Sequence, residues 1–267
     1  MGSLPEEIKR REARLAVMAV AKTKIAARAA ERHERETREY EQKMAARADK
    51  QERTGKPAGK PPKAPQPGAR ASDQINLTDE ESRVMPVAGG GFEQAYNAQA
   101  AVDASTMLVV GTGVTQAPND KEQIAPMLQT LQAQPHTRDE VQCLLADTGF
   151  YSEKNVQACE AASIEALIAV ARDEHHPGWR ERHSEPAALP EHATAAQKMA
   201  HKLKTKVGRK MYALRKQTVE PVFGIIKSVM GFRQFSMRGL NKVRGKWSLV
   251  CMAWNLKRMA VLRPKFG

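Results

Sequence analysis

Asp147 closes the apolar run Val141-Gln-Cys-Leu-Leu-Ala-Asp147 and is followed by Thr148-Gly149, the setting of a carboxylate at the tip of a buried strand. Glu220 stands alone among cations and apolar residues in Tyr212-Ala-Leu-Arg-Lys-Gln-Thr-Val-Glu220-Pro-Val-Phe-Gly-Ile-Ile-Lys227. Carboxylate oxygens are hard ligands suited to Mg2+, and basic neighbours suit a phosphate backbone. An acid on a strand end and another on a helix make most of a two-metal site for phosphoryl transfer, in which paired ions stabilise both the attacking and the leaving oxygen. Each acid also has a plain structural reading: Asp147 as the cap of a turn, and Glu220 as a helix-surface acid paired with Lys216.

The elements that must position these acids are legible in the periodicity. Tyr96 to Val102 and Met107 to Val114 are two β runs separated by Asp103-Ala-Ser-Thr106, which predicts a hairpin. Asn119 with Glu122 three residues on reads as the cap of a helix that carries Ile124, Met127, Leu128 and Leu131 inward. A strand over Val141 to Ala146 follows, then a helix capped by Ser152 and running to about Ala162, then a buried strand over Ile164 to Val170. Residues 171–201 are rich in His, Glu and Pro, and His175, His176, His183 and His192 match no zinc spacing. Helical character resumes near Val207, and a last helix from about Leu240 buries Val243, Trp247, Val250 and Trp254 at spacings of three and four.

Upstream, Pro5 to about Gln51 contains no glycine and no further proline, so it predicts one long helix or a pair. Ile8, Leu15, Met18, Ala21, Ile25 and Ala29 recur at helical spacing, then the stripe gives way to charges of alternating sign. Between Thr54 and Ala71 the composition turns to Gly, Pro and Lys, which reads as a flexible cationic linker. The expected domains are therefore a charged helical arm over 1–53, a linker over 54–73, and a folded domain over 74–267.

The chain carries 43 Lys and Arg against 30 acids in 267 residues, a net charge of +13, so a polyanion is the expected partner. Its 41% hydrophobic content is enough for a core. Cys143, Cys159 and Cys251 form no CxxC pair and read as small core residues in a reducing compartment. No run approaches the roughly 18 apolar residues of a membrane span, and the start lacks a secretory signal, which predicts a cytoplasmic, nucleoid-associated protein.

Tyr96-Asn-Ala-Gln-Ala-Ala-Val-Asp103, Leu145-Ala-Asp147-Thr-Gly-Phe-Tyr-Ser152 and Thr218-Val-Glu220-Pro-Val-Phe-Gly-Ile-Ile-Lys227, followed by Arg238-Gly-Leu-Asn-Lys-Val-Arg-Gly-Lys-Trp247, are similar to the C-terminal part of bacterial insertion-sequence transposases of the DDE type. The resemblance runs from about Gln74 to Leu262. It implies an α/β, ribonuclease H-like mixed sheet flanked by helices, and an Asp, Asp, Glu triad holding two divalent ions, Mg2+ or Mn2+. Asp147 is then the second acid and Glu220 the third. The resemblance also implies DNA as partner, both transposon ends and target, with a homo-oligomer or a mixed assembly with full-length transposase.

The family's last block has the pattern Tyr-x2-Arg-x3-Glu-x6-Lys, whose Tyr, Arg and Lys serve the DNA. Tyr212, Arg215, Glu220 and Lys227 match it, except that four residues separate Arg215 from Glu220. On a continuous helix Lys216 lies about 40° from Glu220 around the axis and Arg215 about 140°, which favours Lys216 for the phosphate role. Pro221 is comfortable only in a first turn, an argument for Thr218 as a cap that breaks the helix.

In the family the first triad Asp lies on the first of three antiparallel strands. Here two strands precede the first helix, and no Val/Ile/Thr-rich run bearing an acid stands upstream. Asp103 is a substitute by position, although its turn-rich surroundings explain it without chemistry. The chain therefore resembles the later portion of a longer transposase, begun inside a long helical insertion, truncated and catalytically impaired. The alternative is a noncatalytic DNA-binding protein acting at transposon ends or inhibiting full-length transposase.

Overall fold

The computed structural model describes residues 4–55, 59–87, 90–135, 141–171 and 184–263. The chain divides into two compact units, Met1–Glu80 and Glu81–Gly267.

The first unit is built on α1 (Leu4–Thr54), a single helix. Strong helix formers, Ala, Arg, Glu and Lys, fill it, and Glu6 and Glu7 in the first turn complement its dipole. It stops ahead of Gly55, whose φ of +62° is the left-handed conformation that ends helices. The Pro/Gly/Lys stretch returns antiparallel along α1: Arg47 donates to the Gly59 carbonyl, Arg70 pairs with Glu36, and Lys24 pairs with Glu80. Arg32 meets Asp73 at 2.6 Å and the Gly68 carbonyl at 3.1 Å. The Arg32 guanidinium, helped by the Arg70 amide, holds the Asp73 carboxyl below its ordinary range.

The second unit opens with a hairpin, β1 (Arg83–Pro86) antiparallel to β2 (Phe92–Ala95). β3 (Asn97–Val102) pairs antiparallel with β4 (Val109–Thr115), and a register shift at Ala101 and Val102 marks a bulge. α2 (Ile124–Gln132) lies close on β4: a Cβ at Gly111 would sit 2.8 Å from the Met127 sulfur. β5 (Cys143–Ala146) runs parallel to β6 (Glu165–Ile168), with α3 (Glu153–Ala161) as the crossover. α4 (Ala195–Lys204), α5 (Lys206–Ser228) and α6 (Leu240–Leu262) complete the unit. An antiparallel hairpin, a helix and a parallel strand-helix-strand unit give a mixed α/β architecture consistent with a ribonuclease H-like fold.

Two apolar cores hold these pieces. Val109 and Val114 of β4 pack with Val222 and Ile226 of α5 and with Val243, Trp247 and Trp254 of α6. Both indoles also donate to backbone carbonyls of the hairpin, Trp247 to Gln99 in β3 and Trp254 to Met107 in the connecting turn, each at 2.8 Å. The other core gathers Ile124 and Leu128 of α2, Ala146 of β5, Cys159 of α3, Ile168 of β6 and Met199 of α4. Burial pushes the Cys159 thiol up to about 11 and the Cys251 thiol up to about 12, as expected of cysteines that serve as core residues.

Two local expectations are corrected. α2 begins at Ile124 after Gln123, which makes no side-chain cap, and Asn119 instead accepts the Lys121 amide within its own turn. α5 runs unbroken through Pro221, and the Thr218 hydroxyl donates to the Leu214 carbonyl one turn back at 2.8 Å, so Thr218 is interior to the helix and caps nothing. The histidine-rich stretch is helical from Ala195, while His175, His176 and His183 lie outside the described residues.

Candidate functional site

Asp147 leaves β5 in an extended conformation and caps the short 3-10 turn Thr148–Phe150. Its Oδ1 accepts from the Gly149 amide at 2.9 Å, which leaves Oδ2 for other partners. Gly149 lies close to two acids: a Cβ there would stand 3.1 Å from Asp147 Oδ1 and 3.3 Å from Asp120 Oδ2. Asp120 thus flanks the same glycine, held by Asn97 and Gln99, whose amide groups both donate to its Oδ1 at 2.7 Å. Sequence reasoning passed over Asp120; the signal was the pair of amide side chains two residues apart on one face of β3.

Glu220 projects from α5, more than half exposed, with Oε1 3.3 Å from the Arg215 guanidinium. The same guanidinium lies 3.7 Å from Asp147 Oδ2. One arginine thus brings together a carboxylate from a strand end and a carboxylate from a helix. Arg215 is only 18% exposed and lies over the Tyr212 ring at 5.8 Å. Its Nε is buried and meets no acceptor among the described residues. Lys216 and Lys227 are exposed on α5, and the ion pair of Glu220 goes to Arg215, where its plain structural reading had paired it with Lys216. The guanidinium bridges five residues along the helix because its stem is long and flexible.

Asp103 takes no part in this cluster. Its carboxylate accepts from the Ser105 and Thr106 hydroxyls and from the Thr106 amide, closing the β3–β4 turn. Burial raises its pKa, but those donors outweigh burial and the net direction is down. Asp103 follows the last residue of β3 while Asn97, which contacts Asp120, is the first, so the length of the strand separates Asp103 from Asp147.

Asp147 and Glu220 have the donor chemistry for one divalent ion: ionisable, partly exposed, acceptor-only oxygens converging from two elements. Among the described residues no three His, Cys, Asp or Glu side chains are placed to hold a metal together. Two carboxylates alone fall short of a two-ion site, which requires a further carboxylate.

A family profile described as transposase DDE domain matches residues 63–256. No curated protein and no solved structure shows a significant match. Proteins of that family bind DNA and generally use a divalent metal ion. With most of its length matched, and with the expected strand-end and helix acids drawn to one arginine, this chain belongs to the transposase DDE domain family.

Proposed function

We propose that the chain is the transposase of an insertion sequence, a DNA-cleaving and strand-transferring protein in which Asp147 and Glu220 hold Mg2+ or Mn2+ and whose acid set is incomplete. The observation that supports this is the shared guanidinium of Arg215, which lies within 4 Å of both carboxylates. A divalent ion bound there supplies electrostatic stabilisation of the charge that builds on the phosphate oxygens during in-line displacement. The chain's own contributions are positional. Tyr212, Arg215, Lys216 and Lys227 share α5 with Glu220, so one helix carries both an acid and the groups that bind the phosphate backbone. Within this reading residues 1–53 are an arm, 54–73 a linker and 74–267 the incomplete catalytic domain, in a nucleoid-associated protein that assembles with itself or with full-length transposase.

A specific observation also favours a second reading, occupancy of transposon ends without chemistry: no third carboxylate joins the cluster among the described residues. A cleavage assay on DNA carrying the element's ends, with Mg2+ or Mn2+, separates the two. We expect weak cleavage that Asp147→Asn and Glu220→Gln each reduce by at least tenfold, while Asp103→Asn leaves it unchanged. End binding with no cleavage under either metal selects the second reading. Robust cleavage that depends on Asp103 and not on Asp147 overturns the site assignment.

A further inference from the structure

Asn155, in the first turn of α3, is only 3% exposed. Ser152 caps that helix by accepting the Asn155 amide at 3.1 Å, so Asn155 stands where a capping box places Glu or Gln, whose side chain returns to the amide of the cap. The Asn155 carboxamide does something else. Its Nδ2 donates to the Phe150 carbonyl at 2.6 Å and to the Lys121 carbonyl at 2.8 Å, and both acceptors lie outside α3. Asparagine is a weak helix former and its burial is costly without partners, so neither helix propensity nor apolar packing accounts for it at this position.

The two carbonyls belong to the two turns that carry acids. Phe150 ends the 3-10 turn that Asp147 caps. The bonds from the Phe150 amide to the Asp147 carbonyl and from the Gly149 amide to Asp147 Oδ1 are internal to that turn, so they set its shape and not its place. Lys121 follows Asp120, whose Oδ1 is held to β3 by Asn97 and Gln99. One buried carboxamide thus joins the turn of Asp147 to a segment anchored on β3. With Asp147 Oδ1 engaged inside the turn, Oδ2, 3.7 Å from the Arg215 guanidinium, goes wherever the turn goes.

We infer that Asn155 is a positioning residue for Asp147: its carboxamide clamps the acid-bearing turn to the Asp120 segment and so fixes where Asp147 Oδ2 stands. In this role it touches neither metal nor DNA and acts through the backbone carbonyls that it holds. The inference rests on the proposed part of Asp147 in cleavage. Removing a group that orients a metal-ligating side chain typically costs about 10- to 100-fold in metal affinity or activity, because the loosened ligand must be ordered again each time the ion binds.

The test compares Asn155→Leu, which keeps an uncharged side chain of similar size and removes both donors, with Val243→Ala, a truncation in the core around Trp247. In the full chain without metal, hydrogen exchange is read at the Gly149 and Phe150 amides relative to those of Glu165 and Ala169, which bond across from β6 to β5. That ratio is expected to rise about tenfold in Asn155→Leu and to stay level in Val243→Ala. On transposon-end DNA, the Mn2+ concentration for half-maximal cleavage is expected to rise about tenfold in Asn155→Leu alone, while the rate at saturating Mn2+ holds. If Asn155→Leu fails to fold, Asn155→Ser, smaller and with a shorter donor, takes its place with the same expected outcomes. An unchanged exchange ratio, a rise equalled in Val243→Ala, or an unmoved Mn2+ midpoint in a protein that cleaves overturns the inference. A wild-type chain that fails to cleave sinks the proposed function alone, and the exchange ratio then decides the inference.

Discussion

Arg215 is the residue on which the site turns. A cation between two carboxylates relieves their mutual repulsion, and under the proposed function it stands where a divalent ion would bind and would compete with it. Replacing it with alanine should raise Mn2+ affinity about fivefold, close to 1 kcal/mol once solvent screening of exposed acids is allowed for, and should weaken DNA binding. Calorimetric Mn2+ titration checks this, and unchanged or weaker metal binding contradicts it. The placement of Asp147 at a strand end and of Glu220 on a helix was readable from residue type and setting, because a lone acid among cations and an acid closing an apolar run are both local features. The pairing of Glu220 with Arg215 in place of Lys216 was not. Helical angle describes where a side chain starts, and a long stem carries the guanidinium well away from that direction. Asp120 escaped notice because its partners, Asn97 and Gln99, sit on another element.

Among elements, β3 to β6 and the last helix were plain in the sequence, whereas the hairpin of β1 and β2 was not. Two β runs around a polar turn located β3 and β4, an apolar run located β5, and the spacing of Trp247 and Trp254 predicted the buried face of α6, where they are 3% and 4% exposed. Trp247 stacks on Phe223 with ring centroids 5.7 Å apart and bonds to β3, so it ties α5, α6 and the hairpin together. Trp247→Ala should destabilise the protein by about 3–5 kcal/mol, read as a shift in the denaturant midpoint, and a loss under 1 kcal/mol would contradict that role. Helix boundaries were less legible. α2 starts without a side-chain cap, and α5 tolerates Pro221 because core contacts of Val222 and Ile226 hold the helix beyond it. Proline propensity is a local preference, and tertiary packing overrode it.

For the molecule as a whole, a net charge of +13 makes attraction to nucleic acid long-ranged and salt-dependent. Affinity for duplex DNA should fall linearly with salt on logarithmic axes, and Lys216→Ala and Lys227→Ala should each lower the slope by about one. A slope unchanged in both variants would remove those lysines from the interface. Among the described residues no helix is long and apolar enough to cross a membrane. The overall kind of partner was legible from charge alone, while the path of residues 59–80 along α1 was not. Proline and glycine composition suggested slack, but arginines of the helix clasp carbonyls and carboxylates of the returning chain. At about 1.5 Å per residue, the 51 residues of α1 form a rod some 75 Å long. Two full turns of duplex measure about 70 Å. The helix is thus a yardstick: whatever grips its tip and whatever grips its root stand some two duplex turns apart, and a shorter object cannot touch both.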